Sequence, residues 1–558
     1  MSCKMCLTKA MLFAVAISVV SANEFLKAKP KELHESMSEE GIRNTLLEEI
    51  EGTFGTGSAS KRLDALEKQL SPIYVSLPKN EHGRLGHAAV RYALHRLFVL
   101  RHGWNIKGLG ANGGKWNSSS PTRVLKDQVP AYIQDMFEHR LGGSGFGLHE
   151  LTVLAATIEH LIHTEAVGKL GDAFSLLDLL PTGTLSESEG YQVLDTYMTA
   201  YILGEDLKNL TRTSAIDLVA QMPELFLSWR ETQQFVRDIH KRIANVTSDD
   251  SQSVFDFAML ANIVEVIGEE FGTFQNSECV SLKKTLIGME DRSTGRVKLA
   301  DFYKPALSGA WQFQESLGYL RQVGALDESG SGEASVIMTN YLYSHANCIA
   351  SSGYYSVCCK EECEGLLGHL EQKLVAPEAV PSEILSIVTK LESSTVSVPR
   401  NLSATLLGRL DDIANHHGGM IPLHGRLFAQ WMHHAFPHEC PYPHLSDTTN
   451  QQTADQWLSE SGIDSTATEE EMMQFTNFTK SASSQEVEQE PEEITQWSYE
   501  EELLVERHSS ILRKDLTTLP PMLRSLMLLI AACTLAFGMV QSFKTSLSMP
   551  VETAKFVV

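Results

Sequence analysis

The sequence predicts a mainly α-helical protein, because apolar residues recur with the helical period along most of its middle part and alternating strand patterns are nearly absent. One clear stripe is formed by Leu151, Ala155, Ile158 and Ile162. Apolar runs near both chain ends add a signal peptide and a membrane anchor. We therefore expect a helical multi-unit ectodomain followed by one C-terminal transmembrane helix. The segments with helical periodicity are 88–100, 148–162, 193–203, 215–243, 254–274 and 336–374.

The N-terminal apolar run has the features of a signal peptide. Two lysines precede the apolar stretch 10–20, and Val20 and Ala22 stand three residues and one residue before a cleavage site. We expect residues 1–22 to be removed. Residues 23–60 would then form a leader ahead of the first helical domain.

The second apolar run, 521–543, is long enough to cross a bilayer, since a membrane-spanning helix needs about 20 residues. Arg524 is its one charged residue, and Lys544 follows it. A buried core helix is the alternative interpretation. A transmembrane helix here predicts a single-pass protein of the secretory pathway or plasma membrane. Its N-terminal part would be lumenal or extracellular, and 544–558 would form a short cytoplasmic tail.

The part between the two runs is too long for one compact core, so we expect two or three folded units. We assign a first helical domain to 61–265 and a second to 266–445, with a region rich in cysteine and histidine at its end. Residues 446–518 contain several acidic clusters and few large apolar residues. This composition predicts an extended, disordered stalk.

The charge balance bears on possible partners. With 70 acidic and 46 basic residues, the chain has a formal net charge of −24. Nucleic acids and anionic membrane surfaces attract basic proteins, so this excess of acid argues against both as partners. A protein partner remains compatible with it.

Cysteines and glycosylation motifs agree with an exported chain. Six cysteines lie between the two apolar runs, and an oxidising compartment would allow three disulfides in fifteen possible pairings. Cys358 and Cys359 are adjacent, and we expect them to have different partners because bonding them to each other would strain the peptide. The six are Cys279, Cys348, Cys358, Cys359, Cys363 and Cys440. Candidate N-glycosylation sites are Asn117, Asn209, Asn245, Asn401 and Asn477.

A possible calcium site lies between two predicted helices, in the segment Glu290–Asp301. This segment resembles an EF-hand loop, in which oxygen ligands occupy positions 1, 3, 5 and 12 and a glycine occupies position 6. The resemblance implies that Glu290, Thr294 and Asp301 bind calcium and that Gly295 makes the sharp bend. Arg292 stands at position 3, where it would place a cation against the metal. A metal-free relic of an EF-hand and an ordinary interhelical turn are the alternatives.

The same spacing of a glycine, one residue and an aliphatic residue occurs again in the chain. It is found at Gly83 to Leu85 and at Gly419 to Ile421, and more weakly after Gly190. If these loops are related to the one at Gly295, the chain consists of helix-loop-helix units that pair through short β-bridges, as in EF-hand proteins. Glycine is also the residue that turns require, which is the simpler explanation.

A second candidate metal site lies in the segment 424–444. His434, His438, Cys440 and His444 offer four donors for zinc within eleven residues. Their spacing matches no metal motif that we can name. A disulfide at Cys440 and surface histidines are the alternative.

These observations favour a non-enzymatic function, since no nucleophile motif is evident. We expect a single-pass, membrane-tethered ectodomain that binds a protein partner or serves as a scaffold. One alternative is a calcium-responsive, EF-hand-like protein. Another is a lumenal metalloenzyme that uses the histidine and cysteine residues of 424–444.

Overall fold

The computed structural model describes residues 58–110, 145–247, 255–290, 292–329, 334–349, 352, 354–482 and 496–505. These residues form sixteen α-helices and seven short strands, which confirms the predicted mainly α-helical class. The expected signal peptide at 1–22, the apolar run at 521–543 and the tail at 544–558 lie outside the described residues. Of the helices that are described, none is both long and apolar enough to cross a membrane.

The helices follow one another from residue 58 to residue 482, with single 3₁₀ turns at Leu207–Asn209 and His345–Asn347. In chain order they are α1 (Ser58–Ser76), α2 (His87–His102), α3 (Leu148–Leu176), α4 (Glu187–Leu203), α5 (Arg212–Leu225), α6 (Trp229–Thr247), α7 (Phe257–Met289), α8 (Leu299–Leu307), α9 (Leu317–Gln322), α10 (Met338–Leu342), α11 (Glu362–Leu374), α12 (Pro381–Val388), α13 (Ala404–His416), α14 (Arg426–Ala435), α15 (Ala454–Ser461) and α16 (Glu469–Ala482).

The strands form three small antiparallel sheets. They are β1 (Trp104–Ile106), β2 (Arg296–Lys298), β3 (Leu326–Asp327), β4 (Ser335–Ile337), β5 (Tyr355–Val357), β6 (Glu378–Ala379) and β7 (Ile421–Pro422). Strand β1 pairs with β5, β4 lies between β2 and β3, and β6 pairs with β7. Asn105 faces Ser356 in the first sheet, and Val297 faces Val336 in the second.

Local sequence explains where several helices begin and end. At the start of α4, the Ser186 hydroxyl accepts a hydrogen bond from the Glu189 amide while the Glu189 carboxylate accepts one from the Ser186 amide. Gly204 ends the same helix with φ of 71°, a conformation that glycine adopts without steric cost. Thr453 and Gln456 form an equivalent capping pair at the start of α15.

Buried side chains form three core clusters. The first lies among α1 to α7, the second among α11 to α14, and the third around β4 with α8 and α9. Helix α7 contributes Leu260 and Phe271 to the first cluster and Leu286 to the third. The domain boundary that we placed between 265 and 266 therefore falls inside one continuous helix. The described residues belong to a compact unit that ends at Val505.

Two predicted helical segments are interrupted in the structure. The segment 215–243 divides into α5 and α6 around Phe226, whose backbone is extended. The segment 336–374 contains β4, α10 and β5 before α11 begins. A strand of three residues such as Tyr355–Val357 is too short for periodicity to separate it from a helix.

The expected stalk, 446–518, is folded in its described parts. Helices α15 and α16 lie within it, and Ala467 and Met472 are buried in the third core cluster. Thr466 forms a β-bridge with Glu315. The prediction of a disordered stalk therefore does not hold for 446–482 or 496–505. Trp457, Ala467, Met472 and Phe475 of this acidic stretch pack on the third core cluster, so a few apolar contacts are enough to hold it in place.

Candidate functional site

Four loops share a geometry in which a glycine precedes a bridging aliphatic residue by two positions. The glycines are at 83, 183, 295 and 419, and φ is positive at Gly83, Gly295 and Gly419. Each aliphatic residue forms an antiparallel bridge to a second segment of the chain. The bridging pairs are Leu85 with Phe146, Leu185 with Phe255, Val297 with Val336 and Ile421 with Ala379.

The segment Glu290–Asp301 is closed by groups of the protein itself. The Glu290 carboxylate accepts a hydrogen bond from the Gly295 amide, across the bend of the loop. Its other oxygen lies 2.7 Å from Nε2 of His438, a buried residue of the histidine-rich segment. Two regions that the sequence suggested as separate metal sites, at Glu290 and at His438, are thus in direct contact.

Close packing of the histidine-rich segment against this loop requires glycine at position 295. A Cβ atom on Gly295 would lie 2.5 Å from the carbonyl oxygen of Pro437. The φ of 74° at the same residue is also rarely adopted by other residues. Pro437 and His438 therefore cover the loop and are held against it by direct contacts.

The remaining predicted calcium ligands lie apart from this contact. Asp301 forms an ion pair with Lys304, and Thr294 is half-buried. Glu290 and Asp301 do line one groove of about 420 Å³, together with Gly288, Met289, Lys298, Lys304 and Pro305. Thr294 is not among its lining residues. The groove brings two carboxylates together with two ammonium groups.

A buried charge network lies next to His438. The Lys283 ammonium is 2.7 Å from Glu362 and 3.3 Å from the fully buried carboxylate of Glu439. Burial by itself would raise the pKa of Glu439, but the Lys283 charge and hydrogen bonds from neighbouring hydroxyls lower it. Thr395 donates to Glu439 and its hydroxyl is 3.3 Å from Nδ1 of His438. Both ring nitrogens of His438 therefore have protein partners.

The other predicted zinc ligands also have protein partners. Nε2 of His434 is 3.1 Å from the carbonyl oxygen of Gln496, and Nε2 of His444 is 2.7 Å from that of Gly324. Burial lowers the pKa of His434 to about 4. Cys440 is bonded to Cys363. In the described parts of the chain, these four residues do not form a group compact enough to share an ion.

One other group in the described residues does have metal-site dimensions. The ligand atoms of His345, Cys348 and Cys358 lie within 4.8 Å of one another. Two of the three are joined by a disulfide, and a disulfide sulfur is not a thiolate ligand.

All six cysteines between the apolar runs are paired. The bonds join Cys279 to Cys359, Cys348 to Cys358 and Cys363 to Cys440. The adjacent Cys358 and Cys359 have different partners, as expected. Of the candidate glycosylation sites, Asn209, Asn245 and Asn401 are exposed. Asn117 lies outside the described residues, and Asn477 lies in α16.

One of the four glycine loops, Asp178–Glu189, is not among the loops predicted from the sequence. Gly183, Thr184 and Leu185 have the same spacing as the loops that were found, although the sequence drew attention to Gly190 instead. Acidic residues occupy its first and last positions. Asp178 pairs with Arg212 at 2.8 Å, and Glu189 caps α4. Both carboxylates are thus engaged by protein groups.

Two buried ion-pair clusters were also missed, because they join residues that are distant in sequence. Arg96 of α2 has no exposed side-chain surface and lies 2.5 Å from Glu371 of α11. His424 is 2.8 Å from the same carboxylate. In the first core cluster, Arg62 lies 2.9 Å from the buried carboxylate of Glu159. Their mutual pairing is what makes burial of these charges tolerable, so we assign them a structural role.

Comparison with known proteins identifies no relative. No protein-family model matches the chain. No curated protein and no solved structure is significantly similar to it. Its function is therefore inferred from its own residues and their geometry.

Proposed function

We propose that the protein is a non-enzymatic binding scaffold of the secretory pathway or cell surface, anchored by the apolar run 521–543. Its folded part consists of paired, EF-hand-like helix-loop-helix units that keep the shape of the family without depending on its ion. Four glycine loops, each bridged through an aliphatic residue, support the assignment of these units. Three disulfides support an oxidising compartment.

The observation that carries this proposal is the contact between Glu290 and His438. In a calcium-binding loop, the carboxylate at the first position is a metal ligand. Here that carboxylate accepts from the Gly295 amide and lies 2.7 Å from the His438 ring. A protein side chain thus satisfies the group that an ion would satisfy. The loop Asp178–Glu189 follows the same principle, since its terminal carboxylates bind an arginine and a helix N-terminus.

A calcium-responsive protein is the second candidate, and one observation favours it. Glu290 and Asp301, the first and last residues of the loop, line the same groove of about 420 Å³. An ion entering this groove would have to displace Lys304 from Asp301 and compete with His438 for Glu290.

Thermal unfolding of the full-length chain in chelator and in millimolar calcium separates the two candidates. A ligand that binds the folded state at one hundred times its dissociation constant adds about 2.7 kcal/mol. We expect no calcium-dependent change in midpoint. A rise that is lost in Asp301→Ala would replace the first candidate with the second.

The closing contact can be tested without any ion. Replacing His438 by alanine leaves Glu290 without its ring partner, and we expect a loss of about 1 to 3 kcal/mol in the free energy of unfolding. His416→Ala is the matched control because His416 is exposed, and it should change stability by less than about 0.5 kcal/mol. Equal effects of the two substitutions would contradict the role given to His438.

The proposed topology has its own test. Glycosidase treatment of the cell-expressed chain should lower its apparent mass, and replacing all five candidate asparagines by glutamine should abolish that change. An unmodified chain in the cytosol would contradict the secretory assignment.

A further inference from the structure

Residues 496–505, which we call the strap, lie across the N-terminal end of α14. Their backbone pairs with the segment before that helix, through a bridge between Leu503 and Gly425. The Arg426 amide donates to the carbonyl of Glu502 at 2.9 Å. The strap is therefore held as an extended segment added to the edge of a folded surface, which is a common mode of peptide recognition.

Two consecutive carboxylates of the strap have dedicated partners. Glu501 accepts from the Leu427 amide at 3.1 Å and lies 2.7 Å from Nε2 of His417. Glu502 accepts from the amide and the hydroxyl of Ser446, at 3.0 and 2.9 Å. The Leu427 amide belongs to the first turn of α14, where backbone donors lack helical acceptors and negative charge is favoured. These contacts select acidic residues at two adjacent positions.

Arg426 recognises the strap through its main chain. Its Nε donates to the carbonyl of Glu500 at 2.8 Å and its Nη2 to that of Ser498 at 3.3 Å. Its Nη1 donates to the carbonyl of Pro443 and to Oε1 of Gln430, both on the surface beneath. Arg426 is buried, so its guanidinium relies on these acceptors. Any extended segment that reaches this position can supply the two carbonyls.

Aromatic and aliphatic contacts fix the two ends of the strap. The guanidinium of Arg409 lies 5.0 Å from the centre of the Trp497 ring, and the His434 ring lies 5.9 Å from it. At the other end, Leu504 is buried in the first core cluster. The pattern that the surface reads is thus a tryptophan, two carboxylates four and five residues later, and a leucine seven residues later.

The strap is lightly held in comparison with the surface beneath it. Leu504 is the one buried residue among its ten, while Tyr499 and Glu500 are exposed and the others are half-buried. On the opposing surface, Arg426 and Gln430 are buried. With one buried apolar residue and two partly buried ones, Trp497 and Val505, the strap opens at lower free-energy cost than the core does.

We propose that the groove beneath the strap is a recognition site for an extended acidic peptide with this pattern, and that the chain occupies it with its own residues 496–505 until a partner protein displaces them. A tethered segment has an effective concentration on the order of millimolar. A free peptide therefore meets a groove that is mostly closed, and its apparent affinity falls in proportion to the open fraction. The strap acts as an internal competitor.

The test uses a fluorescent synthetic peptide with the sequence of residues 496–505 and the full-length chain. In the double variant Glu501→Gln/Glu502→Gln, which we call the loosened chain, the strap loses both charged anchors. Fluorescence anisotropy should show that the loosened chain binds the peptide at least tenfold more tightly than the unaltered chain does. Glu500→Gln is the matched control, because the Glu500 side chain is exposed and removal of its charge should leave peptide binding as in the unaltered chain. A peptide that carries glutamine in place of the two glutamates that correspond to Glu501 and Glu502 should bind at least tenfold more weakly than the parent peptide.

Substitutions in the groove complete the experiment. Arg426→Ala or His417→Ala, added to the loosened chain, should weaken peptide binding at least tenfold, and His417→Ala serves if Arg426→Ala does not fold. The proposal is overturned if the loosened chain, with unchanged circular dichroism, binds the peptide no better than the unaltered chain, or if both groove variants leave binding unchanged.

This inference rests on the proposed binding function and names the chemistry of its partner. Failure of the peptide experiment would leave the ion-free loops and the topology intact, since calcium titration and glycosidase treatment test those separately.

Discussion

At the scale of single residues, Glu159 shows how the fold accommodates a buried charge. Its carboxylate has no exposed surface and lies 2.9 Å from Arg62 of α1, 3.3 Å from His102 and 3.5 Å from Arg101 of α2. The Trp104 ring stacks on His102 with 4.0 Å between the ring centres. Three helices are therefore joined by one carboxylate.

Replacing Glu159 by glutamine should destabilise the protein by about 3 kcal/mol, because breaking one side of a buried ion pair leaves the other charge uncompensated. Urea unfolding measures this loss. Glu81→Gln is the control, since its side chain is 87% exposed and its removal should cost less than about 0.5 kcal/mol. A loss of similar size in both variants would show that Glu159 has no special role.

The same carboxylate predicts a dependence of stability on pH. Burial alone would raise its pKa, but the hydrogen bond from His102 and the charges of Arg62 and Arg101 lower it to about 2 from the ordinary value of 4.5. A pKa that is lower in the folded state gives stability that is present above the unfolded pKa and is lost as the pH falls through the folded one. At about 1.4 kcal/mol per pKa unit, the contribution is about 3 kcal/mol.

Urea unfolding at a series of pH values should therefore show the difference between the unaltered chain and Glu159→Gln shrinking between about pH 5 and pH 2. A difference that stays constant over this range would mean that the substitution acts by changing packing and that the carboxylate charge has little effect.

At the scale of elements, the crossing of α2 and α7 depends on one glycine. A Cβ atom on Gly272 would lie 1.8 Å from the carbonyl oxygen of His102, the last residue of α2. The clash is with backbone, so rotating a side chain does not relieve it. Gly272→Ala should therefore separate the two helices and cost at least about 1 to 3 kcal/mol in the free energy of unfolding.

Gly268→Ala provides a matched control one helical turn earlier in α7. A Cβ atom there meets nothing within 4 Å. Alanine is the better helix former, so this substitution should stabilise the protein by up to about 1 kcal/mol. Opposite signs for the two substitutions, measured by urea unfolding, would establish the close approach. Destabilisation by both would show instead that this face of α7 tolerates no added volume at either position.

The elements also show how far sequence reasoning reached. Periodicity located α2 to α7 and α11, whereas helices such as α1 and α13 lie outside the predicted segments. The spacing of glycine and aliphatic residue located the loops at Gly83, Gly295 and Gly419. The partner of Leu85, Phe146, is a single bridged residue, and the partners of Val297 and Ile421 lie in strands of two or three residues, too short for an alternating pattern. Helix α7 runs without a break from Phe257 to Met289 and so joins the predicted segment 254–274 to the helix expected directly before the Glu290 loop. Apolar residues on one stripe predict an amphipathic helix. They do not predict the length of a helix such as α7, which packs in the first core cluster at one end and in the third at the other.

At the scale of the whole molecule, the contact between the Glu290 loop and the His438 segment lay beyond sequence reasoning. Both segments were recognised for their metal-binding residue types, but the type of a residue does not reveal which distant group satisfies it. On either side of His438, Cys440 is bonded to Cys363 and Pro437 packs on Gly295. The strap could not be predicted for the same reason. Its acidic residues are typical of a solvent-exposed segment, and only the fold shows that backbone donors of α14 lie beside them.

The disulfides give a last prediction at this scale. The bond between Cys363 and Cys440 closes a loop with a sequence separation of 77, whereas that between Cys348 and Cys358 closes one of 10. Because a cross-link removes more entropy from the unfolded chain when its loop is longer, the first should contribute about 4 kcal/mol and the second about 3 kcal/mol.

Two double variants, Cys363→Ala/Cys440→Ala and Cys348→Ala/Cys358→Ala, test this order by urea unfolding. The first pair also lies in the second core cluster, where Cys440 is fully buried and Cys363 packs against it. Its removal should therefore cost more than loop entropy alone. If the second double variant proves the less stable, the short loop around β5 stabilises the folded state through contacts that chain entropy does not describe. The two disulfides would then act mainly on the folded state and not by restricting the unfolded chain.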